Sequence, residues 1–227
     1  MLIVESNNEL VEQRGPGLPQ QPAALRVAAR LISYIFHPVF IPVYIAWFLF
    51  YVHPWLFAGF HPGDKIRGMI MAFLMFSFFP VITVLLLKAL KFIDSIELST
   101  KKDRVIPLVA SAIWYFWIWN VWRNLPGYPD EARLLALGIW ISSWVALMSN
   151  IVMKISLHAI AAGVMLAFFM LLGFTQDLHM GIYISVALLV AGLVCTSRFL
   201  VSDHTPPEIY GGLLAGFATQ CITWWLG

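Results

Sequence analysis

Apolar and polar residues fall into long blocks along this chain, neither alternating with a period of two nor confined to one helical face. Seven uncharged runs stand out: 31–52, 68–87, 105–122, 134–153, 155–176, 178–197 and 209–227. Each approaches or reaches the roughly 20 residues that a helix needs to cross the hydrocarbon of a bilayer, where every backbone group must be bonded internally. Every Asp, Glu, Lys and Arg lies outside the runs. A charge at the centre of such a helix costs roughly 2.5–3.5 kcal/mol, so lipid would enforce this segregation. The pattern predicts an all-α, polytopic transmembrane helical bundle of about seven embedded helices. It forms a single domain over 26–227, preceded by a polar tail over 1–25.

That tail is rich in Pro, Gln and Gly and carries Glu5, Glu9 and Glu12. Without a basic start and apolar core it does not read as a signal peptide, and a mobile or surface-lying segment is expected. Tyr51, Trp55, Trp122, Tyr128, Tyr183, Trp224 and Trp225 cluster near run ends, as interfacial anchors do. Pro38, Pro42 and Pro80 predict kinks in the first two spans. The run 105–122 is short and Trp-rich, which leaves a tilted or half-embedded placement open for it.

Composition agrees: 60% of residues are hydrophobic, 11% are charged and mean hydropathy is +0.81. A soluble chain of this size needs more charge around its core. The net charge of +2 and the lack of a basic tract interleaved with aromatics argue against a nucleic-acid partner. Cys195 and Cys221 lie in apolar runs and are expected to pack rather than bridge. With seven crossings, one side receives Arg14, Arg26, Arg30, Lys88, Lys91, Lys101, Lys102, Arg104, Lys154 and Arg198. The other receives Lys65, Arg67, Arg123 and Arg133. The positive-inside rule puts the first side in the cytoplasm of a multi-pass cell-membrane protein, by a margin that shrinks if Lys101, Lys102, Arg104 and Arg198 serve chemistry.

The polar residues with chemical potential gather in three segments of that first side. They are Ser99-Thr100-Lys101-Lys102-Asp103-Arg104, then Lys154-Ile155-Ser156-Leu157-His158, then Ser197-Arg198 followed by His204 and Glu208. Together they supply cations, hydroxyls, two histidines and a carboxylate. This set suits an anionic, phosphorylated head group, because phosphoryl transfer is catalysed mainly by positioning and by neutralising oxygens. Structural roles are open for the same residues. Thr205-Pro206-Pro207-Glu208 fits a capping box, Ser156 fits an N-cap and Arg198 can snorkel to head groups. Lys88, Lys91 and Lys102 read as boundary charges, the His-Pro pairs at His37, His53 and His61 as span ends and turns, and His179 as part of a polar turn. Asp203 is an alternative carboxylate beside His204.

The three segments resemble the motifs of the type 2 phosphatidic acid phosphatase superfamily, lipid phosphatases related to vanadium haloperoxidases. Ser197, Arg198 and His204 match its Ser-Arg-x5-His-x3-Asp motif in spacing, with Glu208 in the Asp position. Ser156 and His158 match its Pro-Ser-Gly-His motif, with Ile155 for Pro and Leu157 for Gly. Lys101 or Lys102, Arg104 and Pro107 correspond loosely to its lysine and Arg-Pro motif. The resemblance covers roughly residues 95–220 and implies a six- to seven-span bundle with a phosphohistidine mechanism. His204 is then the nucleophile, Glu208 its orienting partner and His158 the acid and base. Arg198, Arg104, Lys101, Ser156 and Ser197 are the implied phosphate-site residues. The implied substrate is a membrane lipid of the phosphatidate, phosphatidylglycerol phosphate or prenyl diphosphate class, with no cofactor and no metal.

Two other readings stay open on the same residues. One is a catalytically silent homologue that binds anionic lipid as a transporter, scaffold or partner subunit, favoured by Leu157 and Glu208. The other is phosphotransfer to a lipid or sugar acceptor. Zinc chemistry, prenyl transfer, retinal binding and nucleotide binding lack their HExxH or Cys-rich clusters, paired Asp-rich loops, intramembrane lysine and Gly-rich phosphate loop.

Overall fold

The computed structural model describes residues 2–4, 10–12, 22–98, 100–176, 179–201 and 204–226. Most of the polar tail, together with Ser99 and Asp203, lies outside the described residues. Leu2–Val4 and Leu10–Glu12 pair as short antiparallel strands. Everything else with regular structure is helical: α1 (Ala23–Ile35), α2 (Ile41–Trp47), α3 (Pro62–Phe73), α4 (Phe79–Ala89), α5 (Lys101–Asn124), α6 (Asp130–Val152), α7 (Leu157–Thr175), α8 (Gly181–Val201) and α9 (Pro206–Leu226). Among the described residues, five helices are long and apolar enough to cross a membrane: the continuous Pro62–Ala89 unit formed by α3 and α4, and α5, α6, α7 and α8. This is the pattern of a multi-pass membrane protein.

The first apolar run departs from expectation. Residues 31–52 do not form one kinked span; they break into α1, a turn and α2 with its π-helical extension Phe48–Val52. Pro38 disfavours helical backbone at His37, and Pro42 is tolerated only because it falls in the first turn of α2. The stretch Ile41–Val52 amounts to about 18 Å of helix, less than a bilayer's hydrocarbon. Pro80 acts more mildly. Its missing N–H is accommodated by a π-helical turn at Leu74–Phe78, and the helix continues as α4. The Trp-rich run forms a full 24-residue helix, with Thr100 Oγ1 capping it by accepting from the Asp103 N–H at 3.1 Å. Helix α9 has 21 residues, but Gly, Thr, Gln and Trp dilute its hydropathy and it is not among the five.

Side-chain volume decides how the bundle closes. α7 and α9 make the most extensive contact, and three glycines set their distance. A Cβ added at Gly216 would stand 2.0 Å from the Ile160 carbonyl, one at Gly163 2.1 Å from the Leu213 carbonyl, and one at Gly212 2.8 Å from the Ser156 carbonyl. Backbones this close require small residues at the seam. Gly211, by contrast, faces open space. The starts of α7 and α9 are therefore held side by side, and the Ser156 N–H donates to the Glu208 carbonyl across the gap at 3.1 Å. Aromatic packing around Phe50, Phe57, Phe76, Trp122 and Tyr128 fills the far end of the bundle. There His53 Nε2 meets Gln176 Oε1 at 2.8 Å, and Gln176 Nε2 donates to Glu131 at 2.5 Å. Cys195 and Cys221 are free thiols.

Candidate functional site

A cavity of about 780 Å³ opens at the bundle end where α1 and α8 finish and α5, α7 and α9 begin. Arg104, His158, Arg198 and His204, drawn from three distant segments, all line it. Its deeper wall is mostly apolar, with Ile41, Ile45, Val84, Leu108, Ile139 and Val164, and carries the hydroxyls of Ser111, Ser142 and Ser143.

His204 stands just before α9, with its side chain 4% exposed. Its Nδ1 is 3.4 Å from Glu208 Oε2, and the same oxygen accepts the Thr205 N–H at 2.8 Å. Glu208 therefore serves the helix start as half of a capping box and faces the histidine as well. The carboxylate only accepts, so His204 carries its proton on Nδ1 in this contact and leaves Nε2 as the basic nitrogen. Burial pushes the His204 pKa down to about 4; the Arg104 and Arg198 guanidiniums and Lys154 push the same way against Glu208. The ring is neutral at pH 7, the state a nitrogen nucleophile requires.

Arg104 is anchored by the backbone. Its Nε donates to the Leu98 carbonyl at 3.0 Å and its Nη1 to the Ile155 carbonyl at 2.7 Å, tying the α4–α5 loop to the start of α7. Leu98 adopts a left-handed backbone conformation, φ 51°, which a leucine rarely takes. His158 lies in the first turn of α7, with Nε2 3.2 Å from the Ser33 carbonyl.

Three of the residues assigned to the phosphate site do not line the cavity. Lys101 reaches the end of α6, where its Nζ donates to the Val152 carbonyl at 2.8 Å; the free carbonyls of a helix C-terminus attract a cation. Ser156 is fully buried and caps α7 by accepting from the Ala159 N–H at 3.4 Å. Ser197 is buried under α1, donating to the Val194 carbonyl at 2.8 Å and lying 3.1 Å from Ser33 Oγ. Their side chains are consumed by helix ends and helix contacts.

Other residues enter the site that the motifs did not single out. His37 lies in the turn just after α1 and lines the cavity, with its ring 5.1 Å from that of His158 and nearly perpendicular to it. Burial, and then Arg198, lowers its pKa to about 4. Arg30, Lys154 and Glu97 also face the cavity. Arg30 sits on the cation-rich side of the charge count, which was the signal available for it. His61 caps α3, accepting from the Gly63 N–H at 3.3 Å, as a turn residue should. Among the described residues no group of His, Cys, Asp or Glu is placed to hold a metal ion. No protein-family model, curated protein or solved structure matches this chain.

Proposed function

We propose that this chain is a cell-membrane phosphatase of the type 2 phosphatidic acid phosphatase kind, hydrolysing a lipid phosphomonoester or diphosphate through a phosphohistidine. The observation that carries the reading is the meeting of Arg104, His158, Arg198 and His204 around one cavity whose deeper wall is mostly apolar. A phosphate at the cationic end would leave an alkyl or prenyl chain along that wall. The bundle then crosses the bilayer about seven times, with α9 as a full span and Ile41–Val52 as a short one.

In the first step the His204 Nε2 lone pair attacks phosphorus. The bond to the leaving oxygen breaks, and His158, acting as an imidazolium, gives that oxygen its Nδ1 proton. In the second, His158 takes a proton from water, the water oxygen attacks phosphorus and the P–N bond breaks. Inorganic phosphate leaves and His204 returns to its neutral form. Arg104 and Arg198 neutralise the charge on the phosphoryl oxygens throughout.

A second reading, a silent homologue that binds anionic lipid, is favoured by one observation. Two Arg104 nitrogens are already committed to backbone carbonyls, as are the side chains of Lys101 and Ser197. Phosphate release from phosphatidate or a prenyl diphosphate by the purified protein separates the two. The hydrolase reading expects release that disappears in His204→Ala. Tight lipid binding with no release supports the silent homologue, and release that survives the substitution rejects His204 as nucleophile.

A further inference from the structure

His158 is held by a part of the chain more than a hundred residues away from it. Ser33 lies in the last turn of α1, where helix carbonyls lack an intrahelical partner, and its carbonyl is 3.2 Å from His158 Nε2. A carbonyl oxygen can only accept, so the contact is a hydrogen bond only when the His158 proton sits on Nε2. Nδ1 then remains as the nitrogen that takes up or delivers a proton. The His37 ring meets the same imidazole edge-on at 5.1 Å with an interplanar angle of 80°, which limits how its plane can turn.

The position of Ser33 is itself fixed. Its Oγ lies 3.1 Å from Ser197 Oγ, in a buried pair. The Ser197 proton is used on the Val194 carbonyl at 2.8 Å, so Ser33 is the donor of the pair. This bond ties the end of α1 to α8, the helix it packs on, one residue before Arg198.

We infer that the end of α1 and the turn after it form a positioning element for the site: Ser33 and His37 fix the tautomer and ring plane of His158. A buried carboxylate does the same for the histidine of a hydrolytic triad, where the wrong tautomer costs orders of magnitude in rate. Neither residue belongs to the motif that His158 matches. The catalytic consequence rests on the phosphatase reading; the tautomer does not.

The test uses the full chain in detergent micelles with 15N-labelled imidazole nitrogens, at about pH 8.5, where an ordinary histidine is neutral. The His158 signals are assigned by their loss in His158→Gln. The wild type is expected to show a protonated Nε2 and a bare Nδ1. Ser33→Ala and His37→Ala should convert this into a tautomer mixture, while Ser33→Thr and His37→Phe, which keep the hydroxyl and the ring edge, should preserve it. A wild-type proton on Nδ1, or a pattern indifferent to both alanine variants, overturns the inference.

With phosphatidate in mixed micelles, Ser33→Ala and His37→Ala should lower kcat about tenfold or more with KM within about twofold, and Ser33→Thr and His37→Phe should recover most of the loss. Equal losses in the conservative variants overturn the positioning role. A wild type with the expected tautomer and no phosphate release overturns the hydrolase reading alone and supports the inference.

Discussion

Glu208 Oε2 stands 3.4 Å from His204 Nδ1 while holding the Thr205 N–H at 2.8 Å, so one oxygen joins the candidate nucleophile to the start of its own helix. Charge and hydrogen bonding can be separated here. Glu208→Gln keeps an oxygen able to accept the Thr205 N–H, since Gln also serves at this position of a capping box. The stability of the purified protein should change little, within about 1 kcal/mol. Phosphate release should fall about a hundredfold, because the amide no longer supports the cationic ring formed on attack. Calorimetry and a phosphate assay on the same preparation check both halves.

Arg104 is a strut as well as a candidate phosphate ligand. Arg104→Met would leave the Leu98 and Ile155 carbonyls without their donors, at roughly 1–3 kcal/mol for each buried group. Arg104→Lys can satisfy only one of the two. Thermal unfolding in detergent should rank the wild type above Lys and Lys above Met, with the Met variant lower by several kcal/mol.

The pH dependence of stability has a definite sign. His204 and His37 both titrate near 4 in the folded protein, below the ordinary 6.5. Between those values the unfolded chain binds protons that the fold excludes, so their contribution is fully present above about 6.5 and is lost as pH falls toward 4. The thermal midpoint should drop on acidification across that window. His204→Asn and His37→Asn should each flatten part of the slope, while any change above pH 7 should be the same in both variants and the wild type.

Glycines within α9 should respond in opposite directions. Gly216→Ala drives a methyl into the Ile160 carbonyl and should destabilise by about 1–3 kcal/mol. Gly211→Ala meets open space and gains helix propensity, which should stabilise by roughly 0.5–1 kcal/mol. Unfolding of the two variants in the same detergent reads the difference.

Five of the seven apolar runs were legible because a block of uncharged residues near 20 long has one structural use. The five long helices overlap 68–87, 105–122, 134–153, 155–176 and 178–197 and extend beyond most of them, because caps such as Thr100 carry helix into charged segments. The run 31–52 was misread as one span. Pro38 and Pro42, four residues apart, do not bend a helix there; they end one and start another. In the site, His158 and His204 could be found because each keeps a motif neighbour in sequence. His37 could not, since its relation to His158 exists only once α1 is laid on α8. Lys101 was misplaced for a related reason: sequence put it beside Arg104, but the carbonyl end of α6 competes for its ammonium.

The glycine seam between α7 and α9 also divides the site mechanically. Two backbones in direct contact at Gly163, Gly212 and Gly216 cannot slide without collision, so His158 and His204 keep a constant separation. Compliance must then come from the opposite wall, where the loop carrying Leu98 is held by the Arg104 side chain. A bulky guest is accommodated by yielding on that side, while His158 and His204 act as the fixed jaw of a vice.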